Sequence, residues 1–572
     1  MYIHLVKTKS DSIVYVSKSV RKGKEVKRKY VMKLGYLSEL AKKYDDPLAY
    51  ANEVAKKMTE EEKNCKSDIL LNLSSKKKID LNKTRLFNAG YLFLQKIYYE
   101  LSLDKTCKNI VDETKVKYDL NNILKDLVFS RILFPSSKLS TFDLAKSYLE
   151  HPNYELHDIY RALDLLSNNI ELIQKEVYTN SSKICKRNTK ILYYDCTNYF
   201  FEIEKEDGFR NYGISKEHRP NPIVQMGLFM DGNGIPLAFN INPGNQSEQL
   251  SPRLTEEMIE KDFGLSKFIY CSDAGLGSYN NKWFNQLKDR SFIVTQSLKK
   301  LKEYLLNWAL DDSNWSNGKS IETVLENEIL YKSRPIKEKG TVIIDGLNVQ
   351  KEIEQKLIVT YSPRYAAYQK QIRDEQIERA KRLLKKPSSF DKYSSTDFKR
   401  LIKNIAYDKN GEIINKDLSL DYDLINKESK LDGFYSLVTN LEGNVEEIIE
   451  INHNRWEIEE SFRIMKTDFK ARPVYLQNEN RIKSHFLTCY LALLIFRILE
   501  QKINTNDNHF TSNQIISCLK DMNLTNINDL CYIPSFTRTQ LTDLLEEKFC
   551  ISFSTEGLAN NYIKKQINNS KK

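Results

Sequence analysis

Three carboxylates far apart in the chain, Asp195, Asp273 and Glu459, lie in segments able to bring them together. Asp195 falls within KILYYDCTNYFFE, residues 190–202, and Asp273 within KFIYCSDAG, residues 267–275. Both runs are rich in β-branched and aromatic residues and predict buried strands with an aspartate near the C-terminal end. A charge closing such an apolar run is costly unless it is paired or bound to a metal. Neighbouring strands lie ~4.8 Å apart, so two such carboxylates can share a divalent cation. Taken singly, each aspartate reads more simply as a turn or helix cap.

The third acid sits in NRWEIEESFRIMK, residues 454–466. On a helix, with Arg455 at zero, Glu459 falls at ~40°, Arg463 at ~80° and Lys466 at ~20°, while Glu457 and Glu460 point away. Ile458, Phe462, Met465 and Phe469 form the adjoining apolar stripe that faces a core. The bland alternative is a surface helix laced with i,i+4 ion pairs. Two strand aspartates and a helix glutamate are the ligand set of a two-metal phosphoryl-transfer site, with two Mg2+ ions ~3.5–4 Å apart across a scissile phosphate. Magnesium prefers hard oxygen ligands, and Mn2+ can take its place. Arg455, Arg463 and Lys466 either hold phosphates of a DNA strand or neutralise Glu459. Lys216, His218 and Arg219, in GISKEHRP, either touch DNA beside the site or belong to a solvated loop.

These residues need a scaffold. Residues 1–83 read as a small β-unit and linker, and 84–187 as a helical region, either DNA-binding or a purely structural bundle, broken at Pro135-Ser136-Ser137-Lys138. After the first aspartate strand come IVQMGLFM, an Asp231-Gly232-Asn233-Gly234 turn and IPLAFNINPGN, a hairpin pattern. A helix over 255–263 and the second aspartate strand follow. Three strands, a helix and a fourth strand are the opening order of a ribonuclease H-like fold, in which the first and fourth strands are neighbours. The expected architecture is an α/β core over 188–290 and 441–502, split by a β-rich insertion over 291–440 that is too long for a loop. A helical appendage over 503–572 closes the chain.

Bulk composition agrees with a polyanionic partner. The 572 residues carry a formal charge of +11, largely from lysine, at a mean hydropathy of -0.54. The nine cysteines are dispersed with no C-x-x-C, which argues against zinc and for reduced thiols. No Walker-type phosphate loop occurs, so ATP dependence is not expected. The apolar run 486–500 is short and flanked by charge, and the N-terminus lacks a signal-peptide pattern. The expectation is a soluble, intracellular protein with no membrane partner.

YYDCTNYFFE, GISKEHRPNPIVQMGLFMDGNGIPLAFNINPGNQSE, FIYCSDAG and RWEIEESFRIMK followed by RPVY together resemble the DDE transposases of bacterial insertion sequences. The similarity is to the branch with a Tyr-x2-Arg-x3-Glu-x6-Lys third motif and a β-rich insertion in its catalytic domain. Arg455, Glu459 and Lys466 match that motif, and Asn452 stands at the tyrosine position. The resemblance implies Asp195, Asp273 and Glu459 as catalytic metal ligands, with Mg2+ as cofactor. It also implies double-stranded DNA as partner, both terminal inverted repeats and target, and a homodimer in the synapse. Water would cut each element end and the freed 3′-OH would attack the target, in a bacterial cytoplasm at the nucleoid. Some members pass through a DNA hairpin aided by an insertion tryptophan, but Trp308 and Trp315 do not align and read as structural. The competing readings are a nuclease without strand transfer and a repeat-binding protein without catalysis.

Overall fold

The computed structural model describes residues 1–572 apart from 9–10, 23–24, 45, 68, 70, 72–74, 77, 218, 345–346, 386–397, 404–405, 408–412, 416–417 and 506–507. The chain divides into two compact units. One comprises 1–88, 522–538 and 552–568, and the other 89–521, 539–551 and 569–572.

In the first unit, β1 (Tyr2–Lys7), β2 (Ser12–Lys22) and β3 (Glu25–Tyr36) form an antiparallel sheet. Val14, Leu40 and Ala51 make its small core, beside the helix Pro47–Ser67. The unit also contains β4 (Leu86–Asn88), which belongs to a second sheet.

The second unit is built on β5 (Ile191–Phe200), β6 (Ile223–Asp231), β7 (Pro236–Pro243), β8 (Ile269–Ser272) and β9 (Ser291–Thr295). Farther on come β10 (Leu330–Ile344), β11 (Leu347–Tyr361), the short strands β12 (Ile402–Lys403), β13 (Ala406–Tyr407), β14 (Ile413–Asn415) and β15 (Ser419–Leu420), and then β16 (Phe434–Thr439). The main sheet runs β10-β11-β16-β9-β8-β5-β6-β7. β5 is antiparallel to β6 and parallel to β8, and β8 is parallel to β9. The first and fourth core strands are therefore neighbours, the arrangement expected of a ribonuclease H-like core. Every residue of β6 is buried, as a central strand covered on both faces requires. The β6–β7 turn is fixed by Asp231 Oδ1, which accepts from Asn233 N at 2.9 Å and Ile235 N at 3.2 Å, with Gly234 at a φ of 73°.

Three sequence expectations change. The segment expected to be an insertion over 291–440 shares its first and last strands with the main sheet, because β9 pairs with β16 and the β10–β11 hairpin extends that sheet. The short apolar run SFIVT gave no hint of its partner, the distant run Phe434–Thr439. The tail expected to be helical also contributes β17 (Asn523–Ile527), β18 (Cys531–Pro534) and β19 (Leu558–Ala559), which join β4 in the first unit. Finally, the apolar run 486–500 belongs to a helix, Glu479–Ile503, whose length and composition would suffice to cross a membrane. Its most apolar window is 94% buried inside the protein, where it packs on the helices Leu120–Leu133 and Leu156–Ser167 and on β7. Charge at its ends gave no measure of how much protein surrounds it.

Candidate active site

The parallel β5–β8 ladder ends at the Tyr194–Ser272 pair. β5 continues to Phe200 with β6 alone, so Asp195 lies mid-strand, not at a strand end as the sequence suggested. The next position on the β8 side is Asp273, the first residue after that strand. The two aspartates thus occupy adjacent places where the sheet opens between two strands, ~4.8 Å apart in backbone spacing. The Asp195 side chain is 15% exposed, and its Oδ1 accepts from Cys196 N at 2.7 Å. Burial pushes its carboxyl up to about 6, with the Asp273 charge adding to burial and Lys216 opposing it. Asp273 Oδ1 accepts from Gly275 N at 3.1 Å and Leu276 N at 3.0 Å, so the turn it caps holds it in place.

The third motif departs from one continuous helix. Arg455 lies in the turn between the helices Val445–His453 and Trp456–Arg463, and residues Ile464–Asp468 form a π-helical turn. The apolar stripe is buried as predicted, with Ile458, Phe462, Met465 and Phe469 all within the core. Arg497 of the long core helix ties the segment down by donating to Ser461 Oγ at 3.0 Å and Glu457 O at 3.1 Å. Glu459 is 57% exposed and held by Arg455 at 3.0 Å. Burial works against the Arg455 charge, but Tyr435, Glu459 and Asp195 more than reverse it, which raises its pKa. Its Nε is buried without a partner. Lys466 donates to Thr197 Oγ1 on β5 at 2.6 Å, and burial, reinforced by Lys216, lowers its pKa.

The structure therefore gathers Asp195, Asp273, Arg455, Lys466 and Lys216, while Glu459 faces solvent at their margin. Arg463 is turned elsewhere, to Glu460 at 2.6 Å and Asp468 at 3.4 Å. Arg219 stacks over Phe200 at 4.2 Å, and His218 lies outside the described residues. Asn452, at the tyrosine position, donates to Tyr435 Oη at 3.2 Å. Trp315 packs against Tyr361 and Phe434, and Trp308 joins the same cluster, as structural residues do.

Lys216, expected as a DNA contact or a loop residue, turns to the carboxylates, and two further participants, Glu217 and Glu248, were missed. Lys216 Nζ lies 3.9 Å from Asp195 and 4.0 Å from Glu248, and donates to Cys196 O. Glu248, in the loop that leaves β7, is raised by burial and by Asp273. Glu217 pairs with Arg472 and, at 3.6 Å, with Lys466. Nothing in residue type or spacing singled out Glu217 or Glu248, because their roles arise from loop contacts across the sheet.

Among the described residues, no three His, Cys, Asp or Glu side chains are grouped closely enough to hold a metal ion. The aspartate pair nonetheless fits a hard divalent cation. Two hard oxygen donors lie side by side, and burial and the Asp273 charge make the Asp195 anion costly despite the ammonium at 3.9 Å, a cost that a bound divalent cation would offset.

Residues 196–495, more than half of the chain, match the family model described as the transposase DDE domain. Among solved structures, a piggyBac transposase synaptic complex with hairpin DNA, determined by cryo-electron microscopy, is similar at 9% identity and a TM-score of 0.38. That similarity covers 84% of this chain and 85% of the other. No curated protein matches the chain.

Proposed function

The chain belongs to the DDE-domain transposases, and on that premise we propose that it binds the terminal inverted repeats of its own element, cuts the ends and joins the freed 3′-OH to target DNA. The observation that carries this reading is the side-by-side placement of Asp195 and Asp273 at the opening of the β5–β8 ladder, ringed by Lys216, Lys466 and Arg455. Asp195, Asp273 and Glu459 would hold two divalent ions, Mg2+ or Mn2+, which when bound supply charge stabilisation to the reacting phosphate. Around them the chain's own cations do the positioning. Arg455, with its unpartnered Nε, takes a phosphate oxygen, which frees Glu459 from its ion pair. Lys466 and Lys216 flank the same phosphate and lower the cost of bringing a polyanion to buried carboxylates. Two copies acting on two ends would form the synapse, in a bacterial cytoplasm.

The test uses purified protein, Mg2+, a duplex carrying the element end and a supercoiled target. Joined products are expected from the wild type. Asp195→Asn should lower both cutting and joining at least about 10³-fold, while a band-shift with the end duplex persists. Cutting without joining would leave a nuclease, and full activity of Asp195→Asn would remove the site assignment.

A further inference from the structure

A second feature of the same unit has no part in the carboxylate site. A cavity of about 410 Å³ opens between the start of the helix Lys138–Ala145 and the segment after the π turn. Four cations line it, Arg131, Lys138, Lys470 and Arg472, and its lining includes no Asp or Glu. Lys138 is only 6% exposed, yet its Nζ has no hydrogen-bond partner. Arg131, 5% exposed, spends its guanidinium on carbonyls, donating to Phe469 O at 3.2 Å, Lys470 O at 3.3 Å and Ser136 O at 3.3 Å, and its Nε is unpartnered. His485, at the cavity wall, has its pKa lowered by burial and by both cations and accepts no counter-charge role, since its Nε2 lies 3.0 Å from Ala471 O.

Two adjacent buried cations with no anion between them are strongly unfavourable in a folded protein. Burial, reinforced by Arg131, pulls Lys138 down to about 7. Such a charge is tolerated when a ligand supplies the missing anion, and a phosphate offers several acceptor oxygens to an ammonium and a guanidinium together. Tyr160 and Tyr475 stand at the same cavity, the latter 72% exposed, and give apolar flanks that a sugar or base can cover. Arg472 also pairs with Glu217, which pairs in turn with Lys466, so the cavity adjoins the basic rim of the carboxylate site.

We propose that Lys138 and Arg131 form a buried seat for one phosphate of the bound DNA strand, separate from the phosphate that is cut. The DNA source of that phosphate rests on the transposase reading, and the anion seat itself does not.

Two measurements on the full-length protein test it. In the first, melting is followed in inorganic phosphate and in chloride at matched ionic strength, for wild type, Lys138→Met and Lys138→Arg. Phosphate should stabilise wild type and Lys138→Arg. Lys138→Met should melt higher than wild type in chloride, because it loses an unpaired buried charge, and should not respond to phosphate. In the second, affinity for a 40-bp duplex is measured against salt. Lys138→Met should bind about tenfold more weakly at 150 mM salt, with the log–log slope reduced by about 1, the loss of one phosphate contact. Equal phosphate stabilisation of wild type and Lys138→Met, or unchanged DNA affinity and slope, overturns the proposal. If wild type binds no DNA yet keeps a Lys138-dependent phosphate response, the transposase reading fails and the anion seat stands.

Discussion

Lys216 holds two acids that would otherwise repel Asp273 and each other. Its ammonium lies 3.9 Å from Asp195 and 4.0 Å from Glu248, and it opposes the rise that burial imposes on both carboxyls. With Asp195 already at about 6, loss of that cation moves its titration further toward neutrality. A carboxyl with a raised pKa is ionised only above that pKa, and a protonated one does not ligate a hard cation, so the acid side of the activity profile follows Asp195. Even fully water-screened, unit charges ~4 Å apart interact by about 1 kcal/mol, or about 0.7 pH units. Lys216→Gln should therefore shift the acidic limb of kcat/KM at limiting Mg2+ upward by at least about half a unit, on top of a pH-independent loss from the missing phosphate contact. A limb that stays in place would show that Lys216 does not tune the site.

At the level of elements, the site depends on how closely the turn after β8 meets β9. A Cβ on Gly277 would lie 1.9 Å from Val294 Cγ1, and Val294 is buried in the sheet. Gly277→Ala must therefore push the turn outward, and with it the two backbone donors that hold Asp273. We expect at least about a tenfold loss of cleavage and about 1–3 kcal/mol of destabilisation, with Val294→Ala in the same chain restoring much of both. Failure of that second change to rescue would place the defect elsewhere. This contact also marks the boundary of what the sequence could reveal. The strands bearing Asp195 and Asp273, the hairpin after the first of them and the apolar stripe of the third motif are local patterns, and each emerged nearly where its residues suggested. β9 and β16 are different. Each is a short apolar run, and only their mutual pairing across the long intervening segment makes them core strands. The same reason hid Glu217, Glu248 and the acid partners of Lys216, which lie on other elements, and the π turn, which residue-by-residue propensity does not encode.

For the whole molecule, the decisive fact is that the three acids are unequal in the free chain. Asp195 and Asp273 are together, whereas Glu459 is half-exposed and occupied by Arg455. If a DNA phosphate draws Arg455 away, Glu459 becomes a ligand only in the complex, and metal and DNA must then bind with positive coupling. Thermodynamic reciprocity makes this measurable from either side, since whatever factor DNA adds to metal affinity, metal adds to DNA affinity. In the free protein, Glu459→Gln should bind Mn2+ within about twofold of wild type, while Asp195→Asn binds it far more weakly. With saturating duplex, wild type should gain about tenfold in Mn2+ affinity, about 1.4 kcal/mol, and Glu459→Gln should gain little. The converse titration should show Mn2+ tightening DNA binding by the same factor in wild type alone. A Glu459→Gln defect of equal size with and without DNA would mean that all three carboxylates act as a preformed set, and the exchange of Arg455 between Glu459 and phosphate would have no place in the mechanism.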